Sequence, residues 1–191
     1  MNNAFKKMFL VVKPDGMRYL DIIRRELKKS NFSIVSEIPC HDWAMLAHRM
    51  YERRLEQETE EFRSNFEIHV WLQEHLFGPE AVVLVFYGRF STLVDGVHRV
   101  FVFRDQVRQN LYQKGDNRMV FLVKVDAFVE GDQASGLWGR LAIMKEQNIE
   151  TIYAQSHKWD EHLFKYVHAP DSLEEFVFQK NVLEKIFDIQ F

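Results

Sequence analysis

A single cysteine, Cys40, stands among the 191 residues, so the chain can form no internal disulfide and offers no thiolate zinc site. A reducing compartment fits that usage best. Long apolar runs are missing as well. None approaches the roughly 18 residues needed to span a bilayer, and the opening MNNAFKKMFLVV has no signal-peptide cleavage pattern. Together these absences predict a cytoplasmic protein with no membrane partner. Nor does charge of one sign dominate. The 25 Lys and Arg against 28 Asp and Glu leave a net charge of -3, and the pI of about 6.2 gives no electrostatic reason to expect a nucleic-acid partner. Basic clusters such as Arg24-Arg25 and Lys28-Lys29 alternate with acids and read as solvated helix faces. Internal repeats, low-complexity tracts and interdomain linkers are also absent, which predicts one domain over residues 1–191.

What is present is apolar and aromatic. At 47% hydrophobic and 14% aromatic, with 17 Phe, the chain can bury a substantial core. Met8 to Val12 is a short apolar run that stops at KPDG, as a buried strand ending in a turn would. From Arg18 the period becomes helical, with Leu20, Ile23 and Leu27 on one face. Residues 31–38 alternate Phe32, Ile34 and Ser36 with their neighbours and predict a second strand. Asp42 is placed to cap a helix through Trp43, Leu46 and Met50 to Tyr51. Residues 52–77 contain no Gly or Pro and predict one or two helices closed by Gly78-Pro79. AVVLVFYG at 81–88 is nearly unbroken in its apolar character, which predicts a central strand covered on both faces. VFVF at 100–103 and MVFLVKVDAFV at 119–129 predict further strands, with RDQVRQNLYQ as a helix between them and another helical stretch at 137–145. FKYVH supplies a last strand ahead of a C-terminal helix. That order predicts an α+β sandwich, a mainly antiparallel sheet covered by helices.

The last strand runs into YVHAPDS at 166–172. Ser172 followed by Glu175 is a capping-box pattern, which puts His168 just ahead of a helix N-terminus. Free N–H groups and the positive end of the dipole make such a place hospitable to phosphate. On these residues alone His168 is either a half-buried histidine that ends a strand or part of an anion site. KPDG, the GR pair at 139–140 and YVHAPDS all flank expected elements, which makes Lys13, Arg140 and His168 candidates for one pocket. A histidine with two fixed cations suits phosphoryl transfer. Lys and Arg stabilise the charge spread over the equatorial oxygens of the transferred group. A neutral imidazole can attack phosphorus and hold it covalently.

FLVVKPDG together with YVHAPDS resembles the nucleoside diphosphate kinase family, whose patterns are K-P-D-G and N-x-x-H-[GA]-S-D-S. FSIVSEI, Tyr51 at the end of the next helix, GPEAVVLVFYG and GLWGRLAIM are similar to further family motifs in the same order. The likeness covers roughly residues 5–90 and 136–187. It implies a ferredoxin-like βαββαβ sandwich with a shallow nucleotide cleft, assembled as a homo-oligomer. It implies that His168 takes the γ-phosphate of ATP or another nucleoside triphosphate and passes it to a nucleoside diphosphate. Lys13 and Tyr51 would contact the reacting phosphate, and Arg140 the other phosphates of the nucleotide. Magnesium (Mg2+) would arrive with the nucleotide rather than sit in a protein cage. Phe66 or Trp71 is the candidate clamp on the base, with an ordinary core aromatic as the alternative.

Departures from the family pattern cluster around the histidine. Pro170 stands where the family has serine, removing a hydroxyl and a backbone N–H. Lys165 replaces the asparagine before the histidine and has a ribose or phosphate contact open to it. Gln179 falls where the orienting glutamate belongs; it can hold the ring but cannot stabilise a cation as a carboxylate does. Lys158 is the best match to a second phosphate-binding arginine and lacks the bidentate fork. Residues from about 96 to 136 have no family counterpart and are read as a strand-containing insertion, unless MVFLVKVDAFV rather than AVVLVFYG is the family strand. Two functions stay open: a ping-pong kinase, and a nucleotide-binding regulatory or scaffold protein with the same fold and little turnover. A phosphotransferase serving a different acceptor is the third.

Overall fold

The structure, a computed structural model, describes residues 4–113 and 166–191. Strands β1 (Ala4–Val12), β2 (Ser33–Cys40), β3 (Ala81–Phe90) and β4 (Val167–His168) form one sheet in the order β2-β3-β1-β4, with every neighbouring pair antiparallel. A 3-10 helix (Pro14–Tyr19) and α1 (Leu20–Lys29) lead from β1 to β2, while α2 (Trp43–Gln57) and α3 (Glu60–Phe77) lead from β2 to β3. Helix α4 (Leu93–Gln113) follows β3, and α5 (Leu173–Phe187) follows β4. β3 lies between β1 and β2, and β1 lies between β3 and β4. The described elements therefore form the α+β, ferredoxin-like sandwich.

The central strands owe their unbroken apolar runs to burial on both faces. β1 and β3 pair from Ala4↔Phe90 to Val12↔Val82, and Met8 to Val12 and Ala81 to Phe86 are all buried. Phe9 stacks on Phe176 of α5 at 5.4 Å, whereas Met8 points towards Gly96 of α4. Successive side chains leave a strand on opposite sides, so α5 and α4 cover opposite faces. β2 lies at the sheet edge, where a bulge between Ile34 and Ser36 leaves Val35 50% exposed. Residues 52–77 hold the end of α2 and all of α3. Asp42 Oδ1 caps the first by accepting from Met45 N–H, Thr59 Oγ1 caps the second by accepting from Phe62 N–H, and Gly78, with φ of 87°, closes it.

One expected strand is a helix. VFVF at 100–103 lies inside α4, where Val97, Val100, Phe103, Val107 and Leu111 are buried at helical spacing and Val102 is exposed. The four residues have strand composition, but their faces follow the 3.6 period. As far as Gln113, the stretch read as an insertion from about 96 is thus α4, packed on β1 and β3. Residues 114–136, the strand expected at 119–129 and the helix expected at 137–145 lie outside the described residues.

The KPDG loop has its own task. Lys13 N–H donates to Tyr166 O at 2.9 Å, Gly16 N–H donates to Lys13 O at 2.8 Å, and Asp15 Oδ2 accepts from Tyr166 N–H at 3.1 Å. Tyr166 has φ of 57°, a left-handed conformation that costs an aromatic residue about 1–3 kcal/mol and persists only when its surroundings enforce it. A Cβ at Gly16 would stand 2.1 Å from Tyr166 O, so only glycine lets the two backbones meet. Gly16→Ala is therefore expected to destabilise the fold by about 3 kcal/mol, measured by urea denaturation. A cost of only a few tenths of a kcal/mol, about that of a neutral surface change, would refute this docking.

Candidate active site

His168 is placed by sheet geometry. Its pairing with Val11 turns its side chain to the same side as Val11 and Phe9, towards α2 and α5. There it is 3% exposed. Tyr51 Oη, from α2, lies 2.8 Å from Nδ1, and Gln179 Oε1, from α5, lies 2.8 Å from Nε2. The other end of the Gln179 carboxamide donates to Glu175 Oε1 at 2.7 Å and to Met50 O at 3.4 Å. Both are acceptors only, so the amide nitrogen faces them and the amide oxygen faces the ring. Nε2 of His168 then carries the proton, and the Nδ1 lone pair accepts from the Tyr51 hydroxyl. Burial first, and the Lys13 charge second, hold the imidazole well below its ordinary value of 6.5, with the Gln179 bond opposing. The ring is neutral. Burial pushes the Tyr51 phenol well above its usual range, which keeps it a donor.

Lys13, 2% exposed, points its ammonium over the Trp43 ring, 5.7 Å from the centroid. Burial, then repulsion from Arg108, lowers it to about 7, against the opposing charge of Asp15. Asp15 accepts from Gln73 Nε2 at 2.9 Å, and Gln73 Oε1 accepts from Trp43 Nε1 at 2.9 Å, so a buried polar chain fixes the floor of the site.

Sequence reasoning missed two cations. Arg104 of α4 donates through Nη1 to Ala169 O at 2.8 Å and to Asp171 Oδ1 at 2.5 Å. Arg108 donates through Nε and Nη2 to Val167 O at 3.0 and 2.6 Å. Its Nη1 is buried without a hydrogen-bond partner among the described residues, with Asp105 Oδ1 3.6 Å away. Burial, and then the neighbouring Arg104, lowers Arg108 to about 9. The available signal was their four-residue spacing within RDQVRQNLYQ, which reads as a helix, but the spacing alone equally describes a solvated helix face. A neutral imidazole, its Nδ1 lone pair covered by the Tyr51 hydroxyl, thus lies among three buried basic side chains, Lys13, Arg104 and Arg108, an environment that favours an anion.

The helix start is arranged differently from the expectation of free N–H groups. Ser172 Oγ accepts from Glu175 N–H at 3.1 Å, and Glu175 Oε2 accepts from Asp171 N–H at 2.7 Å. A carboxylate of the chain itself occupies this end of α5, and the cations come from elsewhere. Phe66 is buried, 5.2 Å from Tyr51 and 5.4 Å from His48 between ring centroids, while Trp71 stacks on His75 at 4.9 Å. Pro170 is buried beside the histidine. Arg140, Lys158 and Lys165 lie outside the described residues. Among the described residues no helix is long and apolar enough to cross a membrane, and no three side chains cluster as metal ligands.

No family model and no curated protein matches the chain. Solved structures to which it is similar include the nucleoside diphosphate kinase of Aquifex aeolicus, at 16% identity over 94% of this chain and 95% of that one, with a TM-score of 0.44. A second is a transition-state mimic of the nucleoside-diphosphate kinase from Borrelia burgdorferi with bound vanadate and ADP, at 12% identity, coverages of 98% and 91%, and a TM-score of 0.47. A third is the halophilic nucleoside diphosphate kinase of Halobacterium salinarum in complex with CDP, at 20% identity, coverages of 92% and 87%, and a TM-score of 0.40. The fold is read from the sheet order and antiparallel pairing of the described strands.

The buried neutral His168 has a signature in stability. Its folded-state pKa lies below the unfolded value of 6.5, so below that pH the unfolded chain binds the proton first. Its contribution is complete above 6.5 and is lost as the pH falls towards the folded value. The stability difference between wild type and His168→Asn is therefore expected to shrink from pH 7 to pH 5, by at most about 1.4 kcal/mol per pH unit. Urea denaturation at both pH values measures it, and a constant difference would mean the ring is not held neutral.

Proposed function

We propose that the protein is a phosphotransferase of the nucleoside diphosphate kinase type. The observation that carries this reading is the setting of the buried His168: Nε2 lies 2.8 Å from Gln179 Oε1, Nδ1 lies 2.8 Å from Tyr51 Oη, and the charges of Lys13, Arg104 and Arg108 act on the ring. In the first half-reaction Nδ1 attacks the γ-phosphorus of a magnesium-bound nucleoside triphosphate such as ATP. The bond between phosphorus and the β,γ-bridging oxygen breaks, its electron pair stays on that oxygen, and the diphosphate leaves. The Tyr51 hydroxyl gives up Nδ1 and donates to a phosphoryl oxygen instead. Lys13 and the α4 arginines supply the positive field. A nucleoside diphosphate then attacks the phosphohistidine and restores the neutral ring.

Phosphorylation at Nδ1 while Nε2 keeps its proton makes the ring cationic. The Gln179 oxygen stabilises that cation through a dipole, more weakly than a carboxylate would. This and the burial of His168 favour a second reading, in which nucleotides bind without turnover and the protein regulates or scaffolds. Assembly as a homo-oligomer belongs to the same proposal.

Incubation with γ-labelled ATP and magnesium is expected to place acid-labile label on His168, to lose it in His168→Asn, and to discharge it on addition of unlabelled diphosphates. Nucleotide binding with no label on the wild-type chain would select the non-catalytic reading. Label that no diphosphate removes would point to another acceptor.

A further inference from the structure

Glu175 takes part in a hydrogen-bond chain that the capping box does not account for. Its Oε2 accepts from Asp171 N–H at 2.7 Å, its Oε1 accepts from Gln179 Nε2 at 2.7 Å, Gln179 Oε1 meets His168 Nε2 at 2.8 Å, and His168 Nδ1 meets Tyr51 Oη at 2.8 Å. Each link has one sense of donation, and the sense is set where the chain begins. A carboxylate only accepts, so the carboxamide must turn its nitrogen to Glu175 and its oxygen to the imidazole. Met50 O asks for the same orientation but at 3.4 Å, a much weaker bond. Glu175 and Gln179 are four residues apart and share one face of α5. We propose that Glu175 is a positioning residue for His168, its carboxylate fixing through Gln179 the tautomer that leaves Nδ1 as the lone pair. The carboxylate acts on the ring from one helical turn away, with a carboxamide as the intermediary.

The consequence for transfer rests on the proposed phosphohistidine, but the tautomer does not, and the two are measured separately. In Glu175→Gln the new side chain has one acceptor oxygen for two donors, Asp171 N–H and Gln179 Nε2–H. The Gln179 amide can then turn over and offer its nitrogen to the ring, which favours the tautomer with a proton on Nδ1. The test is nitrogen NMR of the full chain labelled with 15N-histidine, the His168 signals being assigned by their loss in His168→Asn. Wild type is expected to show an unprotonated Nδ1, E175Q a loss of at least half of that form, and the double variant E175Q/Q179E its return, because a carboxylate at 179 again only accepts. Phosphoenzyme formation is expected to fall about tenfold in E175Q and to recover in the double variant. An unchanged tautomer in E175Q overturns the proposal, since Met50 O would then suffice. A shifted tautomer that Q179E does not restore also overturns it, since the effect would run through the helix start alone. If E175Q fails to fold, Glu175→Ala answers the same question, because the Asp171 backbone there is open to water. Should wild type form no phosphoenzyme, the proposed function fails while the spectra still decide the role of Glu175.

Discussion

The meeting of the KPDG loop with Tyr166 is the constraint from which the site follows. β4 is only two residues long, and Val11↔His168 and Val12↔Val167 are its pairs with β1. So short a strand cannot define its own register. That is set from outside: Lys13 N–H takes the Tyr166 carbonyl, Asp15 takes the Tyr166 N–H, and Gly16 admits the approach. From the other side Arg108 takes Val167 O and Arg104 takes Ala169 O. Tyr166, Val167 and Ala169 are thus held by contacts more than fifty positions away in sequence. A one-residue slip would turn His168 to the α4 face, away from Tyr51 and Gln179.

The same groups set the electrostatics. The lysine of the docking loop and the arginines that grip β4 act on the imidazole with positive charge, and burial makes Lys13 and Arg108 expensive to keep charged. Carboxylates at Asp15, Asp105 and Asp171 compensate only in part, as the lowered values at Lys13 and Arg108 record. Structure and chemistry share these residues. Removing one cation would loosen β4 as well as weaken the field, so activity loss alone does not separate the two roles.

How far the site is legible in the sequence depends on where the information lies. Met8 to Val12 of β1 and Ala81 to Phe86 of β3 are legible because burial on both faces leaves no polar interruption in them. Lys13, Tyr51, His168 and Gln179 are legible through their motif contexts, and the structure brings them together. Arg104 and Arg108 lie in RDQVRQNLYQ, which reads as a helix, but their partners Ala169 and Val167 are more than fifty positions on, and no local pattern shows such a contact. Asp15 reads as a turn residue, since its partner Tyr166 lies 151 positions on. Glu175 reads as a cap, and nothing in that motif tells of a second bond to Gln179.

Burial makes His168 a neutral nucleophile and also encloses it, so the two effects have to be weighed together. The Tyr51 hydroxyl that covers Nδ1 gives up a hydrogen bond worth about 1 kcal/mol net, and a phosphoryl oxygen can return it. That exchange is close to neutral. Tyr51, however, rests on Phe66 of α3, and Phe66 rests on His48, which is itself bonded to Glu67. Moving the ring rather than its hydroxyl would disturb the packing of α2 on α3, which costs far more than one hydrogen bond. Rotation about the phenol C–O bond carries only the hydrogen and leaves Oη 2.8 Å from Nδ1, so uncovering Nδ1 requires the Tyr51 ring to move, and access is governed by the α2–α3 contact.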